Sequence, residues 1–320
     1  MTISSIVSSL CAITPDRLVT NNELANIVDT SDAWIKERTG IEQRYFCSDL
    51  ETSSTLATRA AKLAIEKANI DANDIDLIVC ATSTPDRTFP ATATLIQEAL
   101  GIPVCIAFDI QAVCSGFVYG FGVVDAMIKA GQAKNALLIG VDSFSRIMDW
   151  ADRTTCVLFG DGAGAAVIRA SDEQNKGILA NILRADGRYN SILNVSSGAS
   201  LGSKVGKLHM EGQAVFRHAV TNISEAIVLC CEKAGVNINE IDWFVPHQAN
   251  KRILDGVAKK LKIPEEKVII TVDIHGNTSA ASVALAFDHA QKEGKIKKGD
   301  LVLFEAMGGG LTWGATLVRL

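Results

Sequence analysis

The sequence predicts an α/β protein in which helices cover sheets, and three observations carry that prediction. Short β-rich apolar runs alternate with longer stretches of helical period along the chain. The alternation starts again after the polar stretch 171–176, near the midpoint of the 320 residues, so residues 1–172 and 173–320 read as two similar halves of a duplicated unit. The composition, 48% hydrophobic and 21% charged, is that of a globular chain long enough to bury a large core.

The elements follow in order. Residues 53–67 have Leu56, Ala60, Leu63, Ala64 and Lys67 at helical spacing, with Ser53 or Ser54 as cap. Residues 76–82 read as a strand and 92–100 as a helix stopped by Gly101 and Pro103. A buried strand is expected over 104–110, then a nearly all-apolar helix over 117–129 ending at Gly131. Strands follow at 136–141 and 163–170. The second half repeats the rhythm: strand 178–184, helix 216–234, strand 241–245, helix 248–261, helix 279–293, and closing strands 301–306 and 314–319.

Several function classes drop out on composition. Thirty-six acidic against 31 basic residues give a net charge of −5, which disfavours binding to nucleic acid or an anionic membrane. No apolar run approaches the length of a bilayer span, and residues 1–13 lack the basic flank of a targeting signal, so a soluble, cytoplasmic protein is expected. The eight cysteines lack zinc-ribbon or redox spacing and read as reduced, mostly buried thiols; Cys230 and Cys231 would point apart on one helix. His209, His218 and His289 have no metal-ligand spacing, and no metal is expected. The glycines of 160–165 precede a strand rather than follow one, which favours tight packing over a dinucleotide loop. Asp86 and Asp161 read as turn residues.

Four segments can carry chemistry. Cys114 stands between a predicted strand and a predicted helix, where unpaired backbone N–H groups and the helix dipole favour a thiolate; small Ser115 and Gly116 leave access. A core cysteine is the competing reading. His247, in Pro246-His-Gln-Ala-Asn250, and Asn277, in Gly276-Asn-Thr-Ser-Ala-Ala-Ser282, are expected at two further strand-to-helix junctions. Each alone could be structural; together the three form a nucleophile with paired hydrogen-bond donors for a developing oxyanion. Three consecutive glycines, 308–310, suit a backbone that approaches something closely or presents its N–H groups, with an unusual hairpin turn as the alternative.

Through the Cys114-Ser-Gly-Phe, Pro246-His-Gln-Ala-Asn, Gly276-Asn-Thr-Ser and Gly308-Gly-Gly-Leu-Thr-Trp-Gly segments, the chain resembles the β-ketoacyl-acyl-carrier-protein synthase III family of condensing enzymes. Trp34-Ile-Lys-Glu-Arg-Thr-Gly-Ile, Ala81-Thr-Ser-Thr-Pro-Asp, Asp152-Arg153 and Leu158-Phe-Gly-Asp-Gly-Ala-Gly-Ala extend the match in the same order over essentially the whole chain. The resemblance implies a thiolase-like fold of α-β-α-β-α layers, with Cys114 in the first half and His247 and Asn277 in the second. It implies an acyltransferase that starts type II fatty-acid synthesis. Cys114 would take an acyl group, acetyl by default, from acyl-coenzyme A; His247 and Asn277 would hold the malonyl thioester of acyl-carrier protein as carbon dioxide leaves. The N–H groups of Cys114 and Gly309 would form an oxyanion hole. Trp34, Arg38, Arg153, Phe216, Asn250 and Arg252 would bind coenzyme A as substrate, with no permanently bound cofactor. Phe89 would close the acyl pocket of the neighbouring subunit in a homodimer. Lys251, Arg252, Lys259 and Lys260, on a helix whose other side is apolar, would dock the acidic carrier protein, with Arg217 in addition.

Met307 and Leu311 stand where the family commonly has phenylalanine, and Met307 is expected to reshape the acyl pocket modestly. Other enzymes of the fold fit less well. No cysteine follows Cys231 to serve as the second catalytic thiol of a thiolase, and no glutamate before Cys114 suits hydroxymethylglutaryl chemistry. A specialised condensing enzyme or acyltransferase of a secondary-metabolite pathway would keep the same three residues, and a non-catalytic partner subunit is the remaining alternative.

Overall fold

In the computed structural model, residues 3–202 and 204–320 are described; Met1, Thr2 and Ser203 lie outside them, the first two within the N-terminal stretch considered above. Two sheets organise the molecule. Five strands stand in the spatial order Ser4–Ile13, Asp161–Ser171, Asn135–Ser143, Leu77–Ala81, Ile106–Ile110. Four stand in the order Gly177–Ala185, Thr312–Arg319, Leu301–Gly308, Trp243–Pro246. In each, the first strand in the chain lies antiparallel to the last, the last antiparallel to the one before it, and that one parallel to the next. The polar stretch 171–176 carries the chain from one sheet to the other.

Strand sequences buried on both faces explain the layering. Along Leu77–Ala81, Leu77 and Val79 face one core while Ile78 and Cys80 face another; along Leu301–Gly308, Leu301 and Leu303 alternate likewise with Val302 and Phe304. Helices Ser53–Ala68 and Thr92–Leu100 cover the outer face of the first sheet, and Gly212–Ala234 with Lys251–Leu261 that of the second. Between the sheets lie Gly116–Lys129 and Ser282–Lys292, touching both. The result is the α-β-α-β-α arrangement of the thiolase fold.

The middle layer is tight because its contact surfaces are glycine and alanine. A Cβ on Gly140 would stand 2.4 Å from Ala280 O, and one on Gly164 would stand 2.1 Å from Ala284 Cβ. The glycines of 160–165 thus serve packing, and Asp161, read as a turn residue, is instead a buried strand residue whose carboxylate accepts from Cys47 N, Ser145 N and Ser145 Oγ.

Element ends differ from expectation where side chains compete for the backbone. Thr52, not Ser53 or Ser54, caps the first long helix, in a reciprocal box with Thr55. The strand expected over 104–110 is shortened to Ile106–Ile110; it is an edge strand rather than a buried one, with Val104 fully exposed. The helix expected from 248 starts at Lys251 because Asn250 caps it, and that expected from 279 opens with a 3-10 turn, Ser279–Ala281. The helix expected from 216 starts at Gly212. By length and composition Gly212–Ala234 is also long and apolar enough to cross a bilayer, contrary to the expectation that no apolar run approaches that length. Here its residues Val215, Ala219, Ile223, Ile227 and Cys230 are buried in the outer core of the second sheet. All eight cysteines are free, seven of them buried.

Candidate active site

Cys114 sits in the 3-10 turn Val113–Ser115, between the edge strand and the central helix Gly116–Lys129. Val113 takes φ +49°, a conformation that a β-branched residue rarely adopts, so the turn is strained at the residue before the thiol. Ser115 and Thr312 brace it: both hydroxyls donate to Ala112 O, at 2.7 and 2.9 Å. The triple glycine lies directly behind. A Cβ on Gly308 would stand 2.7 Å from Cys114 N and 2.9 Å from Ala112 O, and one on Gly309 2.8 Å from Leu193 O, so close backbone approach accounts for both glycines.

The expectation of a thiolate does not hold for the free thiol. Burial pushes Cys114 up to about 12; the Ser279 hydroxyl beside it opposes this, the Asp142 charge reinforces it, and its own backbone N–H opposes it. Enclosure outweighs the helix N-terminus.

His247 follows the strand Trp243–Pro246, as predicted, and its N–H donates 2.8 Å to Glu305 O on the neighbouring strand. Burial pushes its imidazole down to about 3, so it is neutral throughout the physiological range. Asn277 follows a single helical turn, Val272–His275, rather than a strand, and is placed by a parallel bridge to Phe159: Asn277 N donates to Leu158 O, and Gly160 N to Asn277 O, each at 2.9 Å. The Asn277 Oδ1 accepts 2.9 Å from Ser279 N. Its NH2 group is therefore the end left for a ligand.

Cys114, His247 and Asn277 line one cavity of about 730 Å³ together with Met307, Phe144, Phe159 and Leu193. Trp34, Arg38, Phe216, Arg217, Asn250 and Arg252 also line it. The Arg38 and Arg153 guanidiniums lie 4.7 and 5.3 Å from the Trp34 ring centroid, which brings Arg153 to the site although it does not line the cavity. Arg252 and Asn250 tie the basic helix to the Trp34 helix: Arg252 Nη2 donates 3.0 Å to Glu37 O, and Asn250 Nδ2 3.2 Å to Arg38 O. Lys251, Lys259 and Lys260 are exposed outside the cavity, Lys251 paired with Asp255. Phe89 is 81% exposed and lies apart from it. Among the described residues no group of three or more His, Cys, Asp or Glu is placed to hold a metal ion.

Sequence reasoning missed several contributors. Asp142, buried beneath the site, accepts from Ser83 N, Thr84 Oγ1, Thr82 Oγ1 and Ala280 N. Glu305 is buried behind His247 with Oε2 unpartnered among the described residues, and burial pushes it up to about 8. Glu305 falls within the strand expected over 301–306, where a lone carboxylate in an apolar run is the available signal; Asp142 falls one residue past the strand expected over 136–141.

Family models described as 3-oxoacyl-[acyl-carrier-protein (ACP)] synthase III match residues 108–187 and, for its C-terminal part, 231–320. The β-ketoacyl-[acyl-carrier-protein] synthase III of Rhizorhabdus wittichii is 59% identical over 305 residues, 95% of this chain and 96% of that protein. The crystal structure of 3-oxoacyl-[acyl-carrier-protein] synthase III from Aquifex aeolicus superposes with a TM-score of 0.94 at 45% identity, covering 99% of this chain and 100% of the other. The priming β-ketosynthase of the R1128 polyketide biosynthetic pathway gives 0.95 at 34% identity, covering 100% and 97%.

Proposed function

The chain belongs to the 3-oxoacyl-[acyl-carrier-protein] synthase III family, and from that premise we infer which of its residues perform each step of the condensation. It is an acyltransferase that starts fatty-acid synthesis by joining an acyl group to malonyl-acyl-carrier protein. The observation that carries the assignment of residues is the convergence of one buried thiol and two neutral donors, Cys114, His247 and Asn277, on a single cavity.

The Cys114 sulfur attacks the thioester carbonyl of acyl-coenzyme A. The N–H groups of Cys114 and Gly309 hold the oxygen that becomes negative, coenzyme A leaves as its thiol with the Cys114 proton, and an acyl-cysteine remains. Trp34, Arg38 and Arg153 receive the nucleotide end, stacking and cation being supplied together. Phe216, Asn250 and Arg252 border the pantetheine arm. Coenzyme A is a substrate portion, and this chemistry needs no resident cofactor.

Malonyl-acyl-carrier protein then enters. The neutral imidazole of His247 and the NH2 of Asn277 donate to its thioester carbonyl as the bond to the carboxylate breaks and carbon dioxide leaves. An anionic catalyst would oppose the enolate that forms; two neutral donors in a water-poor site stabilise it, at about 3 kcal/mol each by analogy with other oxyanion sites. The enolate carbon attacks the acyl-cysteine, breaking the C–S bond and releasing β-ketoacyl-carrier protein and the Cys114 thiolate, which takes a proton from solvent.

Charge supports docking of the acidic carrier protein on Lys251, Arg252, Lys259 and Lys260, with Arg217 at the cavity rim. A homodimer is supported by the unpaired edge of Ile106–Ile110 beside exposed Val104, with Phe89 also exposed for a partner's pocket. A cytoplasmic site fits eight free thiols. The likeness to a polyketide priming synthase favours a second reading, the same reaction in a specialised pathway.

Intact-protein mass spectrometry after incubation with acyl-coenzyme A thioesters tests the reading, with Cys114→Ala as control. An adduct on Cys114 that malonyl-carrier protein discharges as β-ketoacyl product supports it. An adduct that is not discharged supports a specialised acyltransferase, and no adduct with any thioester supports a non-catalytic subunit.

A further inference from the structure

Arg44 is the largest fully enclosed side chain among the described residues, and no step of the reaction uses it. It lies in the short strand Gln43–Phe46. Nη1 donates 2.6 Å to Asn21 Oδ1 and Nη2 donates 2.7 Å to Val157 O, while Nε is buried without a partner. Neither acceptor is a carboxylate. Negative charge is reached at one remove, because Asn21 Nδ2 donates 3.0 Å to Asp32 Oδ1. Burial lowers the guanidinium to about 10, which leaves it charged at neutral pH. A buried cation without a directly bonded counter-ion is unfavourable for folding, and an apolar side chain of similar size avoids that penalty. What the guanidinium holds is therefore informative.

Its two contacts join the two sides of the cavity. Val157 leads into 158–160, the segment on which Asn277 is clamped by Leu158 O and Gly160 N. The glycines on either side of that clamp pass over Arg44, for a Cβ on Gly160 or Gly276 would stand 3.0 or 3.2 Å from Arg44 Cβ. In the other direction Asp32 opens the helix Asp32–Thr39, which carries Trp34 and Arg38.

We propose that Arg44 is a positioning residue for condensation: it ties the segment beneath Asn277 to the helix bearing Trp34 and Arg38 and so fixes the Asn277 amide relative to Cys114. The proposal rests on the role given to Asn277 above. The Cys114 turn has no bond to Arg44 and is braced separately by Ser115 and Thr312.

The test uses the full chain and reads two steps: coenzyme A release on acylation of Cys114 by acetyl-coenzyme A, and β-ketoacyl formation when the acyl-enzyme meets malonyl-carrier protein. In Arg44→Met, acylation at saturating acetyl-coenzyme A stays within about threefold, with any loosening of the Trp34 helix confined to KM, while condensation falls about 100-fold, the scale of a misplacement near 1 Å. Arg44→Lys recovers most of that loss, and Asn21→Ala shows a smaller loss confined to the same step. Equal loss in both steps, or unchanged condensation in Arg44→Met, overturns the proposal. If Arg44→Met does not fold, Asn21→Ala decides, since it must lower condensation more than acylation. Asn277→Ala run in parallel separates the two ideas: normal condensation there refutes the role of Asn277 itself, whatever Arg44 does.

Discussion

The backbone N–H of Ser279 donates to the side-chain oxygen of Asn277 at 2.9 Å, so the amide cannot flip and its NH2 end faces the cavity. Asn277→Asp keeps the accepted bond and the shape but replaces the donor by an anion. Condensation by the acyl-enzyme should fall by about 100- to 1,000-fold, while acylation of Cys114 changes little. Single-turnover measurement of each step checks this, and a parallel fall in acylation would place Asn277 in the wrong step.

The free thiol keeps its proton at neutral pH. With Cys114 pushed up to about 12, its alkylation by iodoacetamide should keep rising with pH through 9 and beyond. A plateau at or below pH 8.5, followed by peptide mapping of Cys114, would show that the helix N-terminus prevails over burial after all.

Glu305 gives stability a definite slope. Its folded value, about 8, is above the ordinary 4.5, so the folded protein holds a proton that the unfolded chain has released between those values. Its contribution is fully present below about pH 4.5 and is lost as pH rises through 8. Glu305→Gln should remove this loss, leaving the difference in melting temperature between variant and parent to move in the variant's favour by on the order of 5 °C from pH 5 to 9. Calorimetry at matched ionic strength reads it; a constant difference would mean the carboxyl is ionised in the fold.

Gly308 touches the nucleophile turn so closely that a methyl group has no room. Gly308→Ala should destabilise the protein by about 1–3 kcal/mol and slow acylation by about tenfold or more, because Cys114 N must retreat from the place proposed for the oxyanion. Denaturant melts and the coenzyme A release assay check both; a stable variant with normal acylation would show that the turn relaxes freely.

The alternation of strands and helices, and the three segments whose Cys114, His247 and Asn277 meet in one cavity, were legible in the sequence because each leaves a local trace. Short continuous apolar runs mark strands such as Leu77–Ala81, and the glycine run marks a backbone that must come close. Less legible was whatever depends on distant segments. Nothing local tells that Ile106–Ile110 sits at a sheet edge, that Asn277 follows a helical turn and leans on Phe159, or that Cys114 is enclosed enough to hold its proton. Among the charged residues committed to the interior, Glu305 stands out in the sequence as a lone carboxylate in an apolar run, whereas Arg44 looks like any other until the chain has folded around it.

The contacts of Gly140 with Ala280 and of Gly164 with Ala284 also bear on how such a chain can change. Ala280 and Ala284 stand just beyond Asn277 on the continuous run from Ser279–Ala281 into Ser282–Lys292, so a bulkier residue at either contact levers that run away from the first sheet and carries the amide with it. Variation is thereby steered outward. New acyl chains or partners are accommodated by exchanging side chains on the cavity wall and rim, whereas the smallest residues in the molecule are among the least replaceable.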